Sequence, residues 1–200
     1  MRTIKIWWLL AAFVSGIALA MFAEELILHS RENRLEFQPQ IHFLTGQPLA
    51  RLRNAAEVPF DFQVTLWSGN RNHVFRRIAD QFVVSFDIWE EKYSVTKLKA
   101  PRKTVSNLSA AAIESWCTSQ MAIDLTGLPG NEKFWARFEV RAENPGGDGG
   151  LFRTGGISDS GISLTRLIEI FSRPPQRDQF HAALEAGPLT LDELRRRGGS

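Results

Sequence analysis

The chain has 200 residues, of which 44% are hydrophobic and 23% are charged, as in an ordinary globular protein. Its 24 basic and 22 acidic residues give a formal charge of +2, and without Arg2 and Lys5 the two signs balance at 22 each. The basic surface that nucleic-acid binding requires is therefore missing, and no nucleic-acid partner is expected. Cys117 is the only cysteine, so an internal disulfide is excluded.

An unbroken apolar run extends from Ile6 to Ala23, after Arg2 and Lys5. A secretory signal needs a basic start, an apolar stretch of about 7–15 residues and small residues at the cleavage point, whereas a spanning helix needs about 17–25 apolar residues. The run fits both descriptions, because Ala18-Leu19-Ala20 also supplies the small-x-small pattern. Residues 1–23 are therefore predicted to be either a signal peptide or a membrane anchor that delivers the rest of the chain across the membrane.

The next part of the chain alternates between helical and extended patterns. Residues 35–44 have an extended pattern, and Pro48 can occupy the first turn of a short helix. Apolar residues then alternate at 60–66 and at 82–88, and a further strand follows at 93–98. The last three are predicted to be consecutive antiparallel strands, because their connections are too short for crossover helices.

A helix is predicted from about Ser106 to Ser119, with Ser106 as its N-cap, and a strictly alternating strand follows at Phe134–Val140. Residues 144–161 are rich in glycine and are predicted to be a loop. Residues 162–200 are predicted to be a helical C-terminal extension whose last helix opens at Thr190, with Glu193 at capping-box spacing.

These elements predict a mainly β fold. Residues 34–143 are expected to form an antiparallel, two-layer, β-sandwich-like domain with two short helices, placed after the N-terminal hydrophobic helix. The alternative is an α+β fold in which helices cover one antiparallel sheet.

Several stretches resemble a bacterial envelope family known as domain-of-unknown-function family 4390. Leu49–Val64 (LARLRNAAEVPFDFQV) resembles its helix-then-strand opening, and Phe86–Val95, the Ser106 helix and Leu128-Pro129 agree with it. The resemblance covers about residues 35–142, whereas the glycine-rich loop and the C-terminal extension depart from the family. It implies an exported, predominantly β domain without an assigned reaction, encoded in some bacteria near membrane sensor kinases.

Catalytic and cofactor motifs give no match. The four histidines are scattered, and none lies at metal-ligand spacing from another histidine or from Cys117. Gly146–Gly150 lacks the lysine of a phosphate-binding loop, and Gly156–Gly161 does not form a nucleophile elbow. No catalytic residue, cofactor or metal site is therefore predicted.

Two surfaces are candidates for binding a partner. In three strands a tryptophan occupies the phase opposite to the apolar residues, which indicates either an aromatic binding patch or burial under helices, a second sheet or a bulge. The amphipathic stretch at 162–171 is the second surface. The candidate partner-binding residues are Trp67, Trp89, Trp135, Leu164, Leu167, Ile168 and Phe171.

The sequence thus predicts an exported cell-envelope protein, periplasmic or anchored with its domain outside the cytoplasm, that acts as a non-catalytic interaction or binding domain at the outer face of the inner membrane. Its expected partners are the membrane, through Ile6 to Ala23 if this segment is uncleaved, and an envelope protein. One alternative is a carrier of an apolar ligand or lipid, which requires a cavity of about 300–1,000 Å³. The other is a hydrolase, which requires converging groups such as His42 or His73 beside Asp61, Asp80 or Asp87.

Overall fold

The computed structural model describes residues 26–143, 171–172, 174–175 and 179–198. Across these residues the predicted mainly β fold is confirmed, with antiparallel strands in two sheets and three short helices. The strands and helices, in chain order, are β1 (Leu26–Arg31), β2 (Arg34–Pro39), α1 (Gly46–Arg53), β3 (Val58–Ser68), β4 (His73–Asp87), β5 (Lys92–Lys97), β6 (Lys103–Leu108), α2 (Ala110–Ser119), β7 (Ile123–Asp124), β8 (Phe134–Ala142), β9 (His181–Leu189) and α3 (Leu191–Gly198).

The larger sheet has the strand order β6-β5-β4-β3-β8-β9, and the smaller one has the order β1-β2-β7. All pairings are antiparallel, so the predicted succession of β3, β4 and β5 is confirmed. The small sheet packs on the large one, since the rings of Phe37 on β2 and Phe138 on β8 lie 6.4 Å apart. Two packed layers of this kind give the single hydrophobic core that the alternating pattern requires.

The core is centred on β3, where Val58, Phe60, Phe62, Val64 and Leu66 point to the same side of the large sheet. Phe62 makes edge-on ring contacts with Phe43, Phe82 and Phe138 at centroid distances of 5.3, 5.0 and 5.8 Å. Edge-to-face geometry is favoured between aromatic rings, and it adds to the gain from burying them. The face of the large sheet that points toward this core is called the inner face below, and the opposite one is the outer face.

The helix predicted at Ser106 begins later than expected. Residues 103–108 form β6 on the edge of the large sheet, and α2 is capped by Ser109, whose Oγ accepts a 3.3 Å hydrogen bond from the backbone N–H of Ala112. The prediction of Ser106 as N-cap is therefore wrong. Serine is a preferred N-cap residue, so either Ser106 or Ser109 could begin the helix. Because β6 pairs with β5, Ser106 lies in a strand and Ser109 becomes the cap.

The helical extension predicted for residues 162–200 is wrong for residues 181–189. These residues form β9, which pairs with β8 and buries Leu184 against the core. When residues 181–189 pair with β8, the backbone N–H and C=O groups along the edge of β8 gain hydrogen-bond partners. This gain outweighs the weak helical pattern of the short segment. The capping box before α3 is confirmed, because Thr190 and Glu193 exchange hydrogen bonds of 3.2 and 2.8 Å.

Three predicted segments fall wholly or largely outside the described residues: the N-terminal run 1–23, the glycine-rich loop 144–161, and the helical stretch 162–171 except for Phe171. Among the residues that the structure describes, no helix is long and apolar enough to span a membrane.

Candidate functional site

The outer face of β3 and β8 carries polar and aromatic side chains in place of the apolar ones of the inner face. Trp67 on β3 and Trp135 on β8 occupy directly paired positions, and both are half-buried. Along the same faces lie Thr65 and Arg137, which are also paired. Strand alternation produces this arrangement, because every second residue of each strand points outward.

A pocket of about 210 Å³ opens on this face, and it is called the outer-face pocket below. It brings three arginine side chains together with one carboxylate, between an indole ring and a phenyl ring, so its charge is positive. Its described lining residues are Gln63, Thr65, Trp67, Arg77, Arg137, Glu139, Arg141, Phe171 and Ser172.

Glu139 is the only acidic residue among the described lining residues, and it is buried and closely held. Its carboxylate accepts hydrogen bonds from Arg137 at 2.9 Å and from Gln63 at 3.3 Å, while Nη2 of Arg141 lies 3.9 Å away. Nε2 of His181 lies 3.5 Å from the same carboxylate, but burial and the charge of Arg141 lower the pKa of the imidazole. Glu139 is thus compensated by its neighbours.

Arg77 differs from the other two arginines of the outer-face pocket. Its Nε donates a 3.2 Å hydrogen bond to Oγ1 of Thr65, and within the described part of the chain no carboxylate lies within 4 Å of its guanidinium. The side chain is half-buried, so its charge is partly desolvated. Guanidinium groups recognise planar anions with two parallel N–H donors, and the terminal nitrogens of Arg77 are available for such a contact.

Next to the outer-face pocket, Asp61 is fully buried on β3. Oδ1 accepts a 2.7 Å hydrogen bond from Nε2 of Gln81, whereas Oδ2 has no hydrogen-bond partner among the described residues. Burial, together with the charge of Glu143, raises the pKa of Asp61 to about 7. The carboxyl group can therefore exchange a proton near neutral pH.

The three tryptophans predicted to bind a partner do not form one patch. Trp89 is 88% exposed, in the turn between β4 and β5, where Oδ1 of Asp87 accepts hydrogen bonds from the backbone N–H groups of Trp89 and Glu90. Since Val58 pairs with Val84, this turn is at the opposite end of β3 from Trp67, on the order of 30 Å away. The expectation that Trp89 shares a strand face with the other two is wrong.

The two predicted surfaces instead meet at Phe171. Its ring lies 4.8 Å from the guanidinium carbon of Arg141, and its carbonyl oxygen accepts a 3.3 Å hydrogen bond from the same group. Phe171 therefore lines the outer-face pocket with Trp67. The other three predicted residues of this stretch, Leu164, Leu167 and Ile168, lie outside the described residues.

Sequence reasoning missed the arginines that give the outer-face pocket its charge. A signal was present, because Arg137 and Arg141 point to the same face of their strand as Trp135. In addition, the register of the β3–β4 hairpin pairs Arg77 with Thr65. What the sequence did not supply was the register that places Arg77 beside the other two.

Two alternative functions were predicted from the sequence, a hydrolase and a carrier of an apolar ligand, and each requires a specific feature of the structure. Nδ1 of His42 lies 2.9 Å from Glu114, and Nδ1 of His73 lies 3.3 Å from Oγ of Ser68, so neither histidine contacts the aspartates that a hydrolase was expected to use. Three pockets lined by described residues measure about 220, 210 and 230 Å³, and each is smaller than the cavity of about 300–1,000 Å³ that a carrier requires. Over the same residues no cluster of three or more metal-ligating side chains occurs.

No protein-family model, curated protein or solved structure matches this chain. The resemblance to domain-of-unknown-function family 4390 therefore depends on the sequence stretches quoted above.

Proposed function

We propose that this chain is an exported cell-envelope protein that acts as a non-catalytic binding domain at the outer face of the inner membrane, and that its outer-face pocket takes an acidic group of a protein partner. The apolar run Ile6–Ala23 supports export or anchoring, because it follows basic residues and is long enough to cross a bilayer. Membership of family 4390 is part of the same proposal.

The observation that carries the proposed binding site is the guanidinium of Arg77, which has no carboxylate within 4 Å among the described residues. A half-buried arginine without an acidic neighbour has lost hydration that no ion pair replaces. A carboxylate of a partner would restore that interaction and would be held by two N–H donors. The distance between Arg77 and Thr65 shows that the side chain is already oriented by a hydrogen bond, so less entropy is lost on binding.

Trp67 and Trp135 add a rigid aromatic surface to this charge. Such residues contribute a large contact area with few rotatable bonds, and they are common among the side chains that dominate binding energy. Arg71 lies 5.5 Å from the ring of Trp135 and also pairs with Glu185 at 3.2 Å, so this ring is held in place. Aromatic and guanidinium groups side by side suit an acidic side chain flanked by apolar residues.

The side chains of the outer-face pocket are arranged for binding and not for proton transfer to a nucleophile. The carboxylate of Glu139 already accepts hydrogen bonds from Arg137 and Gln63. The lining hydroxyl of Thr65 accepts from Arg77, and no histidine is among the described lining residues of the pocket. Recognition is the activity that this set of groups supports.

The test begins with the full chain, tagged and solubilised from membranes, and with a partner captured reproducibly by crosslinking. The dissociation constant of that partner is then measured for the wild type, Arg77→Gln and Arg77→Lys. We expect Arg77→Gln to bind about 10–100-fold more weakly, and Arg77→Lys to recover only part of the loss, because lysine lacks the planar fork. Arg53→Gln, at an exposed position on α1, is the matched control. Equal affinity of Arg77→Gln and wild type would refute the proposed site.

A further inference from the structure

The C-terminal helix α3 ends in three consecutive arginines, Arg195, Arg196 and Arg197, and all three are exposed. On its other side, Leu191 and Leu194 are buried against the domain. Helix α3 is therefore amphipathic and docked by its apolar side, with its basic end directed to solvent. Basic residues complement the negative end of the helix dipole, but one or two suffice for that.

The acidic residues of α3 offset only part of the charge of the arginines, because the helix carries two carboxylates and three guanidinium groups. Asp192 and Glu193 lie in the first turn, whereas the arginines occupy the last. The carboxylate of Glu193 accepts a hydrogen bond from the backbone N–H of Thr190, and this bond, together with the smaller effect of the charges of Arg197 and Arg196, lowers the pKa of Glu193. None of the three arginines has a carboxylate within 4 Å among the residues the structure describes.

The position of α3 relates this basic end to the N-terminal segment. Helix α3 packs on β1, and Leu26, Leu194 and Arg197 line the same pocket of about 220 Å³. Leu26 follows the apolar run by only three residues, which can span at most about 10 Å from Ala23. If that run is held in a bilayer, the basic end of α3 lies close to the headgroups.

We infer that α3 is a membrane-surface contact, and that Arg195, Arg196 and Arg197 bind the anionic phospholipid headgroups of the bilayer that holds the N-terminal segment. This inference rests on the anchored form of the proposed function. The attraction acts over about a Debye length, roughly 8 Å at physiological ionic strength, which matches the reach from Ala23 to Leu26. Each arginine near an anionic surface strengthens binding roughly five-fold, so three give on the order of 100-fold.

The contact would fix the orientation of the domain on the membrane. A single tether leaves a domain free to rotate, whereas a tether and a basic surface beside it provide two points of attachment. Glu24 and Glu25 lie between the apolar run and Leu26, and their charges oppose the attraction to anionic lipid. Removing them should therefore strengthen the contact.

The experiment uses the full chain recovered from membranes and placed in nanodiscs, either purely zwitterionic or with about one third phosphatidylglycerol. Hydrogen exchange is followed at the backbone amides of residues 194–198. We expect exchange to slow with anionic lipid, by up to about 100-fold, because opening of the helix must break its lipid contacts. The triple variant R195Q/R196Q/R197Q should lose this lipid dependence. The control R53Q/K92Q/R102Q removes three exposed charges elsewhere and should keep it.

Equal exchange rates of α3 in both lipids, in a chain whose intact mass includes residues 1–23, would overturn this inference and leave the anchor standing. The variant E24Q/E25Q should slow exchange further in anionic nanodiscs, and unchanged or faster exchange would also count against the contact. An intact mass that begins near Met21 would instead remove the anchor, and with it this inference. Binding at the outer-face pocket is judged separately, by Arg77→Gln.

Discussion

Nε2 of Gln81 donates a 2.7 Å hydrogen bond to Oδ1 of Asp61 across the β3–β4 pair, while Oδ2 of the same carboxyl group has no hydrogen-bond partner in the part of the chain that the structure describes. One neutral hydrogen bond does not compensate a fully buried negative charge. The protonated form is therefore favoured, and the pKa of Asp61 rises to about 7. This buried group makes the stability of the domain depend on pH near neutrality.

The sign of that dependence follows from proton binding. Between the unfolded pKa of 3.8 and the folded pKa of about 7, the folded state binds more protons at Asp61 than the unfolded state does. The free energy of unfolding therefore falls as pH rises through this window, by up to about 4 kcal/mol for this group. Denaturant unfolding of the wild type and Asp61→Asn, measured from pH 4 to 8, should show that the variant lacks this decline and is the more stable at pH 8.

Asp61→Asn suits this comparison because Oδ1 is kept as an acceptor for Gln81. Glu57→Gln, at an exposed position, removes a carboxylate without a burial change and should leave the pH profile as in the wild type. A parallel decline in the wild type and in Asp61→Asn would contradict the raised pKa.

The start of α2 can be tested with two serines three positions apart. Ser109 caps the helix, and Ser109→Ala should lower the free energy of unfolding by about 1 kcal/mol, since the N–H of Ala112 loses its acceptor. Ser106→Ala, on the exposed edge strand β6, should change it by less than about 0.5 kcal/mol. Urea denaturation of both variants decides between the two caps, and a larger loss for Ser106→Ala would show that the helix begins earlier.

Glu114 on α2 holds the segment that joins β2 to α1. Its carboxylate accepts a 3.1 Å hydrogen bond from the backbone N–H of Leu44 and lies 2.9 Å from Nδ1 of His42. Glu114→Ala leaves the buried N–H of Leu44 without an acceptor and should cost about 1–3 kcal/mol in urea unfolding. Glu114→Gln keeps an acceptor oxygen and should cost less, whereas equal losses would mean that charge and not hydrogen bonding matters.

Cys117 should be unreactive in the folded protein. The thiol is buried on α2, and burial together with the charges of Glu114 and Asp80 raises its pKa above the usual range. Because only the thiolate reacts, labelling by a thiol reagent should require unfolding and should follow its denaturant dependence. The measurement is the labelling rate at increasing urea, and rapid labelling in native buffer would refute the burial.

The separation of the tryptophans predicts different effects on partner binding. Trp67→Ala should weaken binding of the captured partner by about 10-fold or more, because the ring lines the outer-face pocket. Trp89→Ala changes an exposed ring at the other end of the sheet and should leave the dissociation constant within about two-fold. Titration by fluorescence anisotropy compares them, and the reverse order would move the binding surface to the β4–β5 turn.

The sequence pattern predicts the central strands well because apolar residues there alternate with polar ones at the strand period. Phe60, Phe62, Val64 and Leu66 are fully buried, and a one-residue slip would move all of them to the opposite face of the sheet at once. Pattern alone predicts the ends of helices less well, as Ser106 and Ser109 show. The strand β9 escaped detection because Ala182, Ala183 and Ala186 favour helix locally, while the open edge of β8 lies outside any sequence window.

The candidate site was predictable in its aromatic part and not in its charged part. Trp67 and Trp135 are each an aromatic residue at a strand position where the alternating pattern expects a polar one. This exception can be recognised from the sequence of a single strand. Arg77 is unremarkable in its own strand, because arginine on an outward phase is ordinary. Its significance depends on the register of the β3–β4 hairpin and of the β3–β8 pair, and on the absence of a carboxylate within 4 Å among the described residues.

The pairing of β8 with β9 also implies a delay during synthesis of the chain. β8 ends at Ala142 and β9 begins at His181, so about 40 residues must be added by the ribosome before β8 gains its second neighbour. At about 5–20 residues per second this takes roughly 2–8 s. During that interval the nascent chain displays a nine-residue strand, with alternate side chains apolar, along an open edge. Until β9 covers it, this edge offers unpaired backbone N–H and C=O groups to any neighbouring chain.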